Sequence, residues 1–142
     1  MDNRLKAPWI GLRSGIGLTA ALAGLDKFFN LLADWGHYVS PLAVQALPFS
    51  TDTFMAIVGV VELVVGVAIL TGWTRVGAYA ASVWLIAVAL NLAVGGFFDI
   101  AVRDAVMSIA AFTLARLAEA REAAPAYGLE GAAAQPQRHV TA

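Results

Sequence analysis

The chain has 142 residues, of which 60% are hydrophobic and only 13% charged, whereas soluble globular proteins run at about 45–50% apolar and about 25% charged. That balance leaves too little charge to coat a water-soluble fold, and far too much apolar character for a disordered chain. Nine Lys and Arg stand against ten Asp and Glu, so no basic surplus attracts nucleic acid; the absence of cysteine excludes thiol redox chemistry, disulfide scaffolds and cysteine-held zinc or iron–sulfur centres.

A membrane-spanning helix takes roughly 20 mainly apolar residues, each adding about 1.5 Å across a core about 30 Å thick. After an N-terminal segment (1–8), the first candidate covers 9–32, with Arg13 near one end and Asp26–Lys27 near the other. Ala21-Leu22-Ala23 looks like a signal cleavage site. Yet Arg13 interrupts the apolar core and the pattern resumes at Phe28-Phe29, so the segment reads as a retained span. The outer loop, 33–53, has no Lys or Arg. In it Trp35 and Tyr38 suit an aromatic interface belt, Pro41 and Pro48 break regular structure, and the stretch between the prolines reads as interfacial or re-entrant. Ser50, Thr51 or Asp52 is placed to cap the next helix.

The second span, 54–73, holds one charge, Glu62, and the third, 76–98, holds none. The fourth, 100–118, opens with Arg103-Asp104 and closes near Arg116. Residues 119–142, rich in Ala, Gly, Pro and Gln without apolar periodicity, read as a flexible cytoplasmic tail. The expected fold class is all-α, an integral membrane four-helix bundle. Arg4 and Lys6, Arg75, and the group Arg116, Arg121 and Arg138 fall on one side of this even-numbered topology. Both termini are therefore expected in the cytoplasm, with the protein multi-pass in the inner (cytoplasmic) membrane.

This topology gives each polar residue a depth. Lys27 lies near the outer end of the first helix, Glu62 near the midplane, Asn91 in the outer third of the third helix, and Arg103 and Asp104 in the first turns of the fourth. A charge at the centre of a spanning helix costs about 2.5–3.5 kcal/mol on insertion scales, so such groups should face inward and pair. Helical angles place Arg13, Gly17, Ala20, Gly24 and Lys27 on one face of the first helix, and Gly59, Glu62 and Gly66 on one face of the second. Arg13 is expected to snorkel to the cytoplasmic side, Asp26 to point away from Lys27 toward the headgroups, and Asp99 to be a cap or to pair with Arg103 at i,i+4. The candidate ligand-binding site is an outward-open polar pocket of Lys27, Glu62, Asn91, Arg103 and Asp104. The same residues equally suit a structural ion-pair network that fixes helix register. No metal site is expected, because His37 and His139 occupy a loop and the tail without convergent ligands. No HExxH, phosphate loop or GxSxG is present.

The segments RSGIGLTAALAGLDKFFN, FMAIVGVVELVVGVAIL, WLIAVALNL and FFDIAVRDAVMSIAAFTLARL resemble the DoxX/DoxD family of small four-helix bacterial membrane proteins, over roughly Leu12 to Leu117. The resemblance implies inward polar residues at Lys27, Glu62, Asn91, Arg103 and Asp104. It also implies an accessory or quinone-linked subunit, the family name deriving from a thiosulfate:quinone oxidoreductase. Related folds include cysteine-dependent redox enzymes, from which this chain departs by lacking every thiol. The expectation is a membrane subunit of a redox system: no intrinsic cofactor, a quinone as ligand, and at most the role of an oxidoreductase subunit. Expected partners are the lipid bilayer, a membrane or soluble redox protein, and further copies of the chain. Trp84, Phe97 and Phe98 would flank a quinone ring, although all three are equally ordinary helix filler. Two alternatives stay open: a non-enzymatic assembly or interaction protein, and a small-solute or proton transporter that would have to oligomerise.

Overall fold

Backbone chemistry, rather than the length of each apolar run, sets where the helices stop. The computed structural model describes the backbone of residues 3–133 and the side chains of residues 4–123. After a 3₁₀ turn at Asn3–Leu5, helix α1 spans Lys6–Asp26, ending well short of the expected residue 32. Asn30 takes a left-handed φ of 51°, a conformation Asn tolerates better than most side chains. The N–H groups of Phe29 and Asn30 close back onto the Asp26 carbonyl at 2.9 and 2.7 Å. The outer loop then forms a 3₁₀ turn, Trp35–Tyr38, and a short helix α2, Pro41–Ala46. Ser40 caps α2 by accepting from the Ala43 N–H at 3.2 Å, with proline in the first turn.

Helix α3, Thr51–Leu70, is capped by Ser50, whose hydroxyl accepts from the Thr53 N–H at 3.3 Å. Helix α4, Thr74–Val94, ends at Gly95-Gly96, where Gly96 has φ 86° and the Phe97 N–H returns to the Leu92 carbonyl at 2.9 Å. Helix α5, Phe98–Ala133, runs past the expected boundary at 118. The alanines after Arg116 favour helix, and side chains dock the continuation onto the bundle. Tyr79 donates to Glu119 at 2.8 Å, Arg75 pairs with Glu122 at 2.7 Å, and the Arg121 guanidinium stands 4.5 Å from the Trp9 ring centre. Of the segment expected as a flexible tail, residues 134–142 lie outside the described residues.

The described residues are helical with no strand. Helices α1, α3, α4 and α5 form an antiparallel ring in which α1 packs on α3 and α4 on α5, and the contacts α3–α4 and α1–α5 close it. Two of them, α3 and α4, are long and apolar enough to cross a membrane. Arg13 lies against the end of α3. Its guanidinium donates to the carbonyls of Ile69, Leu70 and Thr71 at 2.9, 2.6 and 2.6 Å, satisfying the C-terminus of α3.

The α1–α3 seam has the predicted small-residue faces. A Cβ on Gly24 would lie 2.6 Å from the Gly59 carbonyl oxygen, and one on Gly66 would lie 2.5 Å from the Ala21 nitrogen. These are backbone atoms with no side chain to swing aside. Gly66→Ala is therefore expected to destabilise the protein by about 1–3 kcal/mol, the usual cost of overpacking, read as a lower unfolding temperature in detergent. Gly15→Ala, where a Cβ meets open space, should leave it unchanged or slightly raised.

Ile69, Ala111 and Leu114 are fully buried in an apolar core between the helices, and polar groups are buried beside it. Asp26, Lys27, Asp104 and Ser108 are buried, as are Gly17, Gly24, Gly59 and Gly66. Large apolar side chains such as Leu22, Val64, Val83, Leu90 and Ile109 stand exposed around the bundle.

Candidate functional site

The close approach of α1 and α3 at Gly24 and Gly59 brings the next polar residues of each helix together. Lys27 Nζ donates to Glu62 Oε2 at 2.5 Å, with the two side chains only 4% and 15% exposed. The ammonium also reaches the Ala23 carbonyl at 3.5 Å, and it stands 3.9 Å from the centre of the Trp35 ring. The other Glu62 oxygen accepts from Trp84 Nε1 of α4 at 3.4 Å. A buried ion pair is thus bounded by two indoles, one from the outer loop and one from the bundle. Cation–π contacts of this kind contribute about 0.5–2 kcal/mol, more as water is excluded.

Asp26 holds the outer indole. One carboxylate oxygen accepts from the Leu31 N–H at 3.1 Å, and the other from the Leu32 N–H at 3.0 Å and Trp35 Nε1 at 2.8 Å. Asp26 is expected at the headgroups because it points about 100° away from Lys27 on a helix; the structure buries it instead. Once the helix stops at Asp26, the returning chain presents N–H groups that need an acceptor, and the carboxylate is where they meet.

Of the five residues expected to line one pocket, the structure brings Lys27 and Glu62 together and places the other three elsewhere. Asn91 holds the outer loop: its amide oxygen accepts from the Ser40 N–H at 3.0 Å, and its amide nitrogen donates to the Tyr38 carbonyl at 2.9 Å. Arg103 pairs with its neighbour Asp104 at 2.9 Å rather than with Asp99; its side chain is 61% exposed while that of Asp104 is 7% exposed. Among the described residues no hydrogen bond or ion pair joins Arg103 or Asp104 to Lys27 or Glu62. One helical turn below Asp104, Ser108 Oγ lies 3.1 Å from Ser82 Oγ and donates to the Ser82 carbonyl at 2.8 Å, fastening α4 to α5. Phe97 packs edge-on against Tyr38 and His37, with ring centres 5.1 and 5.4 Å away, and so tethers the loop instead of flanking the ion pair. Phe98 is exposed on the rim of an apolar groove of about 280 Å³ between α4 and α5, floored by Ala89, Ala93, Ala101 and Ala105.

Trp35 and Asp26 are the members of the cluster that the sequence did not place there, whereas Trp84 is expected beside a ligand ring and lies against Glu62. Trp84 carried a usable signal, since it lies on the same face of α4 as Gly77 and Ala81, which are buried in the bundle. Trp35 carried none, because its position depends on the left-handed turn at Asn30. Among the described residues no buried side-chain nitrogen or oxygen lacks a hydrogen-bond partner.

The family model for DoxX matches residues 9–96, more than half of the chain and all of the elements that build this cluster. The chain belongs to the DoxX family. Within the DoxX match lie Asp26, Lys27, Trp35, Glu62, Trp84 and Asn91, whereas Arg103 and Asp104 fall beyond its last residue. No curated protein and no solved structure matches this DoxX chain.

Proposed function

We propose that this DoxX-family chain is a multi-pass integral membrane protein of the inner membrane, with four spanning helices and both termini cytoplasmic, and that it is an accessory, quinone-linked subunit of a redox system. The observation that carries the proposal is the Lys27–Glu62 pair, buried between Trp35 and Trp84 in a bundle whose outer surface is lined with large apolar side chains. Lipid-facing surfaces are apolar by necessity, and intramembrane ionisable groups belong to interior sites. In this reading the quinone carbonyl accepts from the Lys27 ammonium and Trp84 forms the inner wall. The protein itself supplies binding and orientation; the electrons belong to the quinone and to a redox partner protein.

The test is to extract the protein in mild detergent, identify any copurified quinone by mass spectrometry, and titrate the purified protein with a short-tailed benzoquinone. Glu62→Gln is expected to weaken binding at least tenfold, while Arg103→Ala, outside the cluster, leaves it unchanged. Normal binding by E62Q would remove the site assignment.

A second reading is favoured by the completeness of the polar pairing among the described residues. A network with every buried member satisfied suits a non-enzymatic assembly protein whose ion pair fixes helix register. Stable copurification of a membrane protein partner without quinone is the outcome that would select it.

A further inference from the structure

We propose that Trp35 is a removable lid on the Lys27–Glu62 site and that the Asp26 carboxylate is its latch, so that a quinone ring enters by taking the place of the indole beside the Lys27 ammonium. This rests on the quinone reading above and concerns how the same site is opened. Three groups surround the ammonium: the Glu62 carboxylate, the Ala23 carbonyl and the Trp35 ring. Two of them belong to α1 and α3, whose backbones interlock at Gly24 and Gly59 with no room for a methyl group. Only the indole comes from outside the bundle, on the 3₁₀ turn Trp35–Tyr38. It is also a weaker partner than the Glu62 carboxylate, since a π face offers the ammonium less than an ionised oxygen acceptor does. A quinone carbonyl in its place accepts a charge-assisted hydrogen bond.

The means of release are built into the same turn. The Trp35 side chain has one hydrogen bond, to Asp26 Oδ2, and that oxygen is shared with the Leu32 N–H. Beyond Trp35 the loop is pinned, because Asn91 binds both Tyr38 and Ser40. Motion is therefore confined to the segment between the left-handed Asn30 and Tyr38. The side chains on this segment and just before it, Phe29, Leu31 and Leu32, are 63%, 83% and 73% exposed. They form an apolar rim through which a hydrophobic quinone arrives from the lipid phase rather than from water.

The chain has only two lysines, Lys6 and Lys27, so amine labelling is resolved site by site. Lys6 is exposed and is the internal reference. The full-length protein and its Asp26→Asn and Trp35→Phe variants are reconstituted in nanodiscs, treated with a membrane-permeant amine reagent and digested for mass spectrometry. W35F retains a ring but cannot donate to Asp26; D26N retains the indole but weakens its acceptor. In both variants the Lys27/Lys6 labelling ratio should rise at least fivefold, and the association rate of a short-tailed benzoquinone should rise by about tenfold. Unchanged labelling in both variants, or slower quinone association in both, would overturn the lid. Faster labelling with no quinone bound by any variant would sustain the lid while removing the quinone reading, so the two failures are distinct.

Discussion

Cutting either half of the Lys27–Glu62 pair is expected to destabilise the protein by about 3–5 kcal/mol, the range seen when one partner of a buried ion pair is removed and the other charge is left uncompensated. Lys27→Met strands the Glu62 carboxylate with only the long Trp84 contact of 3.4 Å. Glu62→Leu strands the Lys27 ammonium against the Trp35 ring and the distant Ala23 carbonyl. The double variant K27M/E62L removes both charges at similar volume, and such replacements are neutral or stabilising by about 1–4 kcal/mol in other buried pairs. The expected pattern in a detergent-unfolding series is two strongly destabilised single variants and a double variant at least as stable as the natural protein. A loss in the double variant equal to the sum of the two single losses would contradict the pairing, because additivity is the signature of groups that do not touch. The double variant also separates structure from function. It should be folded and unable to bind quinone if the pair holds a ligand, and folded with quinone binding unchanged if a quinone binds elsewhere.

The paired faces of α1 and α3 were legible because they depend on helical angle alone. Glu62 between Gly59 and Gly66, and Lys27 three residues after Gly24, specify a close seam with one cation and one anion beside it. Asn91, Arg103 and Asp104 are grouped with them on a depth that comes from the expected topology and the helical rise rather than from helical angle. What depth does not reveal is the backbone that needs a partner nearby. Asn91 is taken by the outer loop, since Tyr38 and Ser40 present an unpaired carbonyl and N–H to it. Arg103 faces outward and folds back on Asp104. The outer loop is the least readable part of the chain. Its course depends on one left-handed residue, Asn30, and on a carboxylate that gathers three donors only after the chain has turned. The continuation of α5 was hidden for a different reason. Its alanines have no periodicity to read, and Glu119 and Glu122 find partners on α4 that are distant in sequence.

Asn91→Leu should produce the second large effect, and a local one. The asparagine amide serves the loop with both ends, accepting from the Ser40 N–H and donating to the Tyr38 carbonyl, while Ser40 itself is buried. A leucine fills the space and pairs with neither, and each buried polar group left without a partner costs about 1–3 kcal/mol. Hydrogen exchange should accelerate by more than tenfold across residues 35–40, with the α1–α3 seam keeping its protection. Asn91→Asp gives a sharper version of the same test. An ionised carboxylate still accepts from Ser40 but has nothing to donate to the Tyr38 carbonyl, so its protection should lie between the natural protein and N91L at neutral pH. Protonation restores a donor, so protection in N91D relative to the natural protein should recover as pH falls through the carboxylate range. Uniform loss of protection throughout the bundle would instead mean that Asn91 supports the helices and not the loop. Because Tyr38–Ser40 is the pivot about which Trp35 would swing, loosening it also removes the fixed end of the lid. N91L should therefore raise Lys27 labelling without altering any residue that touches the ion pair.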